Sequence, residues 1–110
     1  MKYQIKLSEH QIQQAIQEYL TCKGWLCWRN QSGLIRGNYN GKQWAVKMGM
    51  AGLPDLFAIK DGFLIGVEVK RPGKKATEIQ ERMLKELREH GAGTIVAHSI
   101  EELERWLKLT

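Results

Sequence analysis

A chain of 110 residues with a formal charge of +5 has room for one domain with its own core and not for two, so residues 1–110 are read as a single domain. No apolar run reaches the roughly 18 residues of a membrane span. The opening Met1-Lys2-Tyr3-Gln4-Ile5-Lys6 also lacks the apolar core of a signal peptide, which argues against membrane and secretory readings and predicts a cytoplasmic chain. The charge is lopsided: 12 Lys or Arg face 5 Asp or Glu through Lys75, against 5 and 7 from Ala76 onward. A one-sided positive field is what a polyanion such as nucleic acid meets, although it also serves simple solubility. Cys22 and Cys27, the two cysteines, lack Cys-x-x-Cys spacing and a second ligand pair, so they are expected as reduced thiols in or near the core rather than as a zinc site.

Ser8 and Gln11 form a capping box, and Ile12, Ala15, Ile16, Tyr19 and Leu20 then recur on one face, predicting a helix that ends near Lys23-Gly24. Glu9, in its first turn, either complements the helix dipole or is a third carboxylate aimed at the site built on the hairpin between Gly52 and Lys70. Trp25 to Asn30 is aromatic and apolar after a glycine, the pattern of a strand. From Gln31 to Gly52 the periodicity dissolves into a basic, glycine-punctuated loop carrying Arg36, Lys42 and Lys47. A loop of that length in a small domain is usually functional or disordered. Asn40-Gly41 allows a small internal hairpin between Leu34-Ile35 and Trp44-Ala45-Val46. Tyr39 and Trp44, set among the cations, suit stacking on bases or packing beneath the loop.

The stretch Gly52 to Lys70 is the most informative. Two apolar runs flank Lys60-Asp61-Gly62, and Asp-Gly between such runs is a strong hairpin signal because both residues tolerate positive φ. With Asp61 and Gly62 as the loop, Lys60 pairs with Phe63. Counting back sets Asp55 opposite Glu68 and Leu53 opposite Lys70, with Asp55, Glu68 and Lys70 on one face. Opposed like charges destabilise a sheet unless something relieves them. A raised carboxyl pKa, a neighbouring cation such as Lys70 or a bound divalent metal would each do so, and hard oxygen ligands suit Mg²⁺ or Mn²⁺ better than Zn²⁺.

Arg71-Pro72-Gly73-Lys74-Lys75 breaks the strand and sets four cations around a turn. Thr77 and Gln80 open a second capping box, followed by Ile79, Met83, Leu84 and Leu87 on the inward face and a stop at His90-Gly91. Gly93 to His98 reads as a short buried strand, and Ser99 with Glu102 caps a last helix that buries Ile100, Leu103, Trp106 and Leu107. His10, His90 and His98 share no spacing and are read as structural. The order αβββαβα predicts an α/β domain with a mixed central sheet flanked by helices, in which the last strand lies parallel beside an antiparallel meander.

Gly52-Leu53-Pro54-Asp55-Leu56 followed by Glu68-Val69-Lys70 resembles the signature of the PD-(D/E)XK nuclease superfamily, and most of all its VRR-NUC branch, over Ser8 to about Leu107. The resemblance implies a restriction-endonuclease-like core. It also implies Mg²⁺ or Mn²⁺ held by Asp55, Glu68 and the Val69 carbonyl, with Glu9 reaching the metal directly or through water. Lys70 then orients the attacking water, and Gln80 matches a polar position on the second helix, where capping explains it equally well. The implied activity is endonucleolytic hydrolysis of branched DNA, four-way junctions above all, by a homodimer. Arg36, Lys42, Lys47, Arg71, Lys74 and Lys75 are the candidate DNA contacts. Alternatives are a flap or single-strand nuclease, a non-catalytic nucleic-acid-binding module of the same fold, and a scaffold whose basic half only solubilises.

Overall fold

In chain order the elements are α1 (Glu9–Cys22), β1 (Leu26–Arg29), β2 (Gly33–Tyr39), β3 (Lys42–Met48), β4 (Leu56–Lys60), β5 (Phe63–Val69), α2 (Glu78–Glu89), β6 (Gly93–Ala97) and α3 (Ile100–Leu109). The computed structural model describes residues 6–30, 33–48 and 50–110, and only the backbone of residues 33–36, 44 and 46–48. Met1 to Ile5 therefore lie outside the described residues.

Strands β1, β4, β5 and β6 form one sheet in the order β1-β4-β5-β6, antiparallel except for the parallel pair β5-β6. The expected mixed sheet is thus present, with the Asp61-Gly62 hairpin at its centre. Lys60 pairs with Phe63 and Leu56 with Val67, as the two-residue loop requires. Asp61 and Gly62 take φ of 50° and 79°, the mirror-image turn that matches strand twist.

Alternation along β5 divides its side chains between two layers. Ile65, Val67 and Val69 are fully buried in one core with Ile12, Ile16 and Leu20 of α1 and Leu103 of α3. Gly66 and Glu68 turn the other way, toward α2: a Cβ on Gly66 would stand 3.6 Å from Leu87, and Glu68 is bonded by Gln80. The central hairpin is therefore covered on both faces, which explains why Ile65 to Val69 is an unbroken buried run.

Four expectations need correction. The loop from Gln31 to Gly52 contains a seven-residue pair, β2 and β3, which form a separate two-stranded sheet. Asn40 and Gly41, with φ of 52° and 77°, make the same turn as Asp61-Gly62, and the pairing runs from Tyr39–Lys42 back to Gly33–Met48. Interior glycines weaken a strand without forbidding it, so the turn sets the structure and the missing periodicity misleads. Cys22 is exposed, because it lies two residues past Leu20 and so rotates away from the buried face, whereas Cys27 is half-buried. Its thiol is pushed up to about 11 by burial. On α2, Ile79 is 55% exposed, and Leu84 is the fully buried residue of that face. Finally, Leu53 does not pair with Lys70: the ladder stops at Leu56, and the Lys70 N–H donates to the Ala97 carbonyl instead.

Candidate active site

The site forms where the β4–β5 ladder ends. Pro54 has no N–H to contribute to a ladder, and the chain bends at Asp55 before entering β4. The bend is fixed from three sides. The Asn30 side-chain amide donates to the Pro54 carbonyl at 2.8 Å, and the Asn30 N–H donates to the Asp55 carbonyl at 2.9 Å. Pro54 is buried over Gly66, where an added Cβ would meet Pro54 Cγ at 2.9 Å and Phe57 Cε1 at 3.3 Å. Gly52, at φ 79°, lies so near α2 that a Cβ would come within 2.6 Å of the Ile79 carbonyl oxygen. Both glycines are thus required for close approach, in addition to the left-handed backbone at Gly52.

Held in this way, Asp55 does not face Glu68 as a ladder partner. Its Oδ2 accepts the Val69 N–H at 2.8 Å, one residue beyond the position counted from the turn, because the bend carries the side chain across the strand end. The two carboxyls nonetheless converge, and Asp55 stands where it can share Glu68's proton. Glu68 is 1% exposed. Its Oε1 accepts the Gln80 amide at 3.1 Å and has the Lys70 ammonium at 3.9 Å, whereas its buried Oε2 has no hydrogen-bond partner among the described residues.

The electrostatics follow from that packing. Burial first, and then the neighbouring Asp55 charge, push the Glu68 carboxyl up to about 8. Lys70 opposes the shift and Glu9 adds to it. Two of the three anticipated devices, a raised carboxyl and an adjacent cation, therefore operate in the protein itself. An unpaired buried carboxylate oxygen beside a second carboxylate also fits a hard divalent cation, for which oxygen donors are the natural ligands.

Glu9 occupies the exposed first turn of α1, and its charge reaches Glu68. Among the described residues no group of three or more His, Cys, Asp or Glu side chains gathers as a metal cluster, so the two carboxylates are the side-chain core of the site. Gln80 combines the two roles that the sequence left as alternatives. Its Oε1 accepts the Thr77 N–H at 2.8 Å, closing the capping box, and its Nε2 donates to Glu68. The sequence did not mark Asn30 at all, because its partners are 24 and more residues away.

Arg71, Lys74 and Lys75 lie exposed on the turn that follows β5. That turn is closed by the Lys74 N–H donating to the Arg71 carbonyl, and it is tied to α3 through His98. His98 places Nε2 2.8 Å from the Lys74 carbonyl and Nδ1 3.0 Å from Glu102. Those contacts, the Lys74 carbonyl first, raise the His98 pKa. Glu102 thus uses its carboxylate on His98, while its N–H takes the Ser99 cap. Lys42 is exposed beside the β2–β3 turn; Arg36 and Lys47 belong to β2 and β3, and their side chains lie outside the described residues.

No family model matches the chain, and neither does any curated protein. A solved structure described as a VRR_NUC domain does match in three dimensions, with a TM-score of 0.64 over 91% of this chain and 94% of that one, at 24% identity. The chain therefore has the fold of a VRR_NUC domain, the fold expected from the Pro54-Asp55 and Glu68-Val69-Lys70 pattern.

Proposed function

From a VRR_NUC fold with two carboxylates and a lysine gathered at the end of its central hairpin, we propose that this chain is a VRR-NUC nuclease of the PD-(D/E)XK type. In this reading it is a Mg²⁺- or Mn²⁺-dependent endonuclease that cuts branched DNA, four-way junctions foremost, as a homodimer. The observation that carries the proposal is the buried Glu68 carboxylate, one oxygen unpartnered, set against Asp55 with Lys70 alongside.

Asp55, Glu68 and the Val69 carbonyl are the proposed metal ligands, with Glu9 at the margin. A divalent ion bound there supplies Lewis-acid stabilisation of phosphoryl charge and a more acidic water. The chain's own residues do the rest. Val69 N–H fixes the rotamer of Asp55, and Gln80 fixes that of Glu68, so the acids are oriented before any ligand arrives. Lys70, with its side chain 14% exposed, keeps a cation at the mouth of the site, where it orients the attacking water and meets charge developing on the phosphate oxygens. Paired sites in a two-fold dimer suit symmetric cuts across a junction.

The direct test incubates the purified protein with a four-way junction, a flap, a single strand and a linear duplex, each in EDTA, Mg²⁺ or Mn²⁺. Symmetric paired nicks in the junction, abolished by EDTA, are expected. Preference for the flap or the single strand would overturn the junction assignment. Lys70→Ala should cut at least about tenfold more slowly while still binding DNA, the usual scale for a positioned catalytic group. Equal cutting by that variant contradicts the role given to Lys70.

A further inference from the structure

The β2–β3 ribbon supplies no described residue to the cluster of Asp55, Glu68, Lys70 and Gln80. Among the described residues its strands pair with each other and not with the four-stranded sheet, and the helices pack on that sheet and on one another. A lone two-stranded hairpin is marginally stable in water, so a ribbon with seven residues per strand that pairs with no other described strand invites another surface.

Its two ends return to a single place. β1 gives way to Asn30, which bonds Pro54 and Asp55, and β3 leads through Met50 and Gly52 back to the same Pro54-Asp55 bend. The ribbon is therefore rooted at the acid that anchors the site. Seven residues at about 3.3 Å each carry its tip about 23 Å from that root.

Composition decides what the ribbon meets. No Asp or Glu occurs between Glu18 and Asp55, a span that carries Lys23, Arg29, Arg36, Lys42 and Lys47. At the tip, Tyr39 is 72% exposed and pairs with exposed Lys42, next to Asn38, Asn40 and Gln43. A cation for phosphate, an aromatic for stacking and amides for base edges, without an acid, form a surface complementary to nucleic acid. Two such ribbons repel one another, which disfavours a second copy of this chain as the occupant.

We propose that the β2–β3 ribbon is a DNA-gripping arm that lies along the duplex flanking the cut and fits a groove with its Asn38–Gln43 tip. The proposal rests on the nuclease reading only for the position of the cut. At 3.4 Å of rise per base pair, an arm of this length spans about 7 base pairs. Substrates must then offer about that much paired DNA on one side of the site.

The test uses the full chain, a variant with residues 33–48 replaced by a short Gly-Ser link, and the double variant Tyr39→Ala/Lys42→Ala. Circular dichroism and melting verify that each is folded. Binding is measured in Ca²⁺ on loop-closed four-way junctions with arms of about 5 or about 15 base pairs. The expected result is at least tenfold weaker binding of the long-armed junction by the ribbonless variant, a smaller loss for the double variant, and less than twofold change on the short-armed one. Equal affinity on long arms overturns the proposal, as does equal weakening on both substrates or a loss confined to self-association measured by light scattering. Since these readouts are affinities, a wild-type protein that binds by its ribbon but cuts nothing would refute the nuclease reading and leave the arm standing.

Discussion

The chain builds two hairpins from the same turn chemistry and puts them to opposite uses. Asp61-Gly62 and Asn40-Gly41 both pair a left-handed Asx residue with a left-handed glycine, and both set a two-residue loop. The first has an exposed tip, with Lys60 and Phe63 beside the turn, but its strands run back into buried Leu56, Ala58, Ile65 and Val67 at the centre of a covered sheet. The second is flanked by Tyr39, Lys42 and amides and stands apart. A turn thus fixes register, and what the strands behind it pair with decides whether the hairpin becomes scaffold or surface.

Truncation separates the two most sharply. Ile65→Ala empties a fully buried position on the central hairpin and should cost about 2 to 5 kcal/mol in urea unfolding. Tyr39→Ala, on the ribbon, should stay within about 0.5 kcal/mol. Similar losses at both positions would mean that the ribbon is part of the core. Next comes Gly66→Ala, whose new methyl group would press on Pro54 and Phe57. A destabilisation of about 1 to 3 kcal/mol is expected, together with weaker metal binding as the Asp55 bend shifts.

The pattern of what could be read beforehand follows the range of each interaction. The Asp61-Gly62 register, the shared face of Glu68 and Lys70, and both capping boxes are encoded within a few residues, and each is visible in the sequence. Asn30 was missed because it acts on Pro54 and Asp55, residues brought beside it only by sheet assembly. The bend at Asp55 was missed for a related reason: counting from the turn assumes an ideal ladder, whereas Pro54 and Asn30 end it early. Gln80 was legible as a cap, but its bond to Glu68 requires α2 to be packed on the sheet. The ribbon's length was hidden by glycines that erase alternation.

A smaller effect concerns pH. Below about 4.5 Glu68 is protonated whether the chain is folded or not; from there to about 8 the unfolded chain ionises while the folded one keeps its proton. Its contribution to stability therefore falls as pH rises through that window, by up to about 1.4 kcal/mol per unit, and levels off above it. Melting curves from pH 5 to pH 8.5 should show the decline in wild type and a flatter profile in Glu68→Gln. His98 runs the same way for a different reason: its raised pKa makes the protonated clamp to Lys74 and Glu102 stabilising at low pH, and that contribution is lost as pH rises through the folded value.

The smallest contrast lies between the two capping glutamines. Gln11→Ala removes one reciprocal hydrogen bond and should cost about 0.5 to 1.5 kcal/mol, whereas Gln80→Ala removes the same capping bond and also the bond to buried Glu68, and should cost more. The Gln80 variant alone should also weaken metal binding, because only Gln80 holds Glu68. Equal metal affinity in the two variants would reduce Gln80 to a cap.

The most direct test of the site is a thermal melt with and without Mn²⁺ at pH 6 and pH 8 in wild type and Glu68→Gln. Ligand bound only by the folded state raises the melting temperature, and here ionisation of Glu68 must precede binding. The account predicts a rise of several degrees in wild type, larger at pH 8 than at pH 6, and little or none in Glu68→Gln. The same rise in both proteins, or none in either, would contradict a metal centre on Asp55 and Glu68.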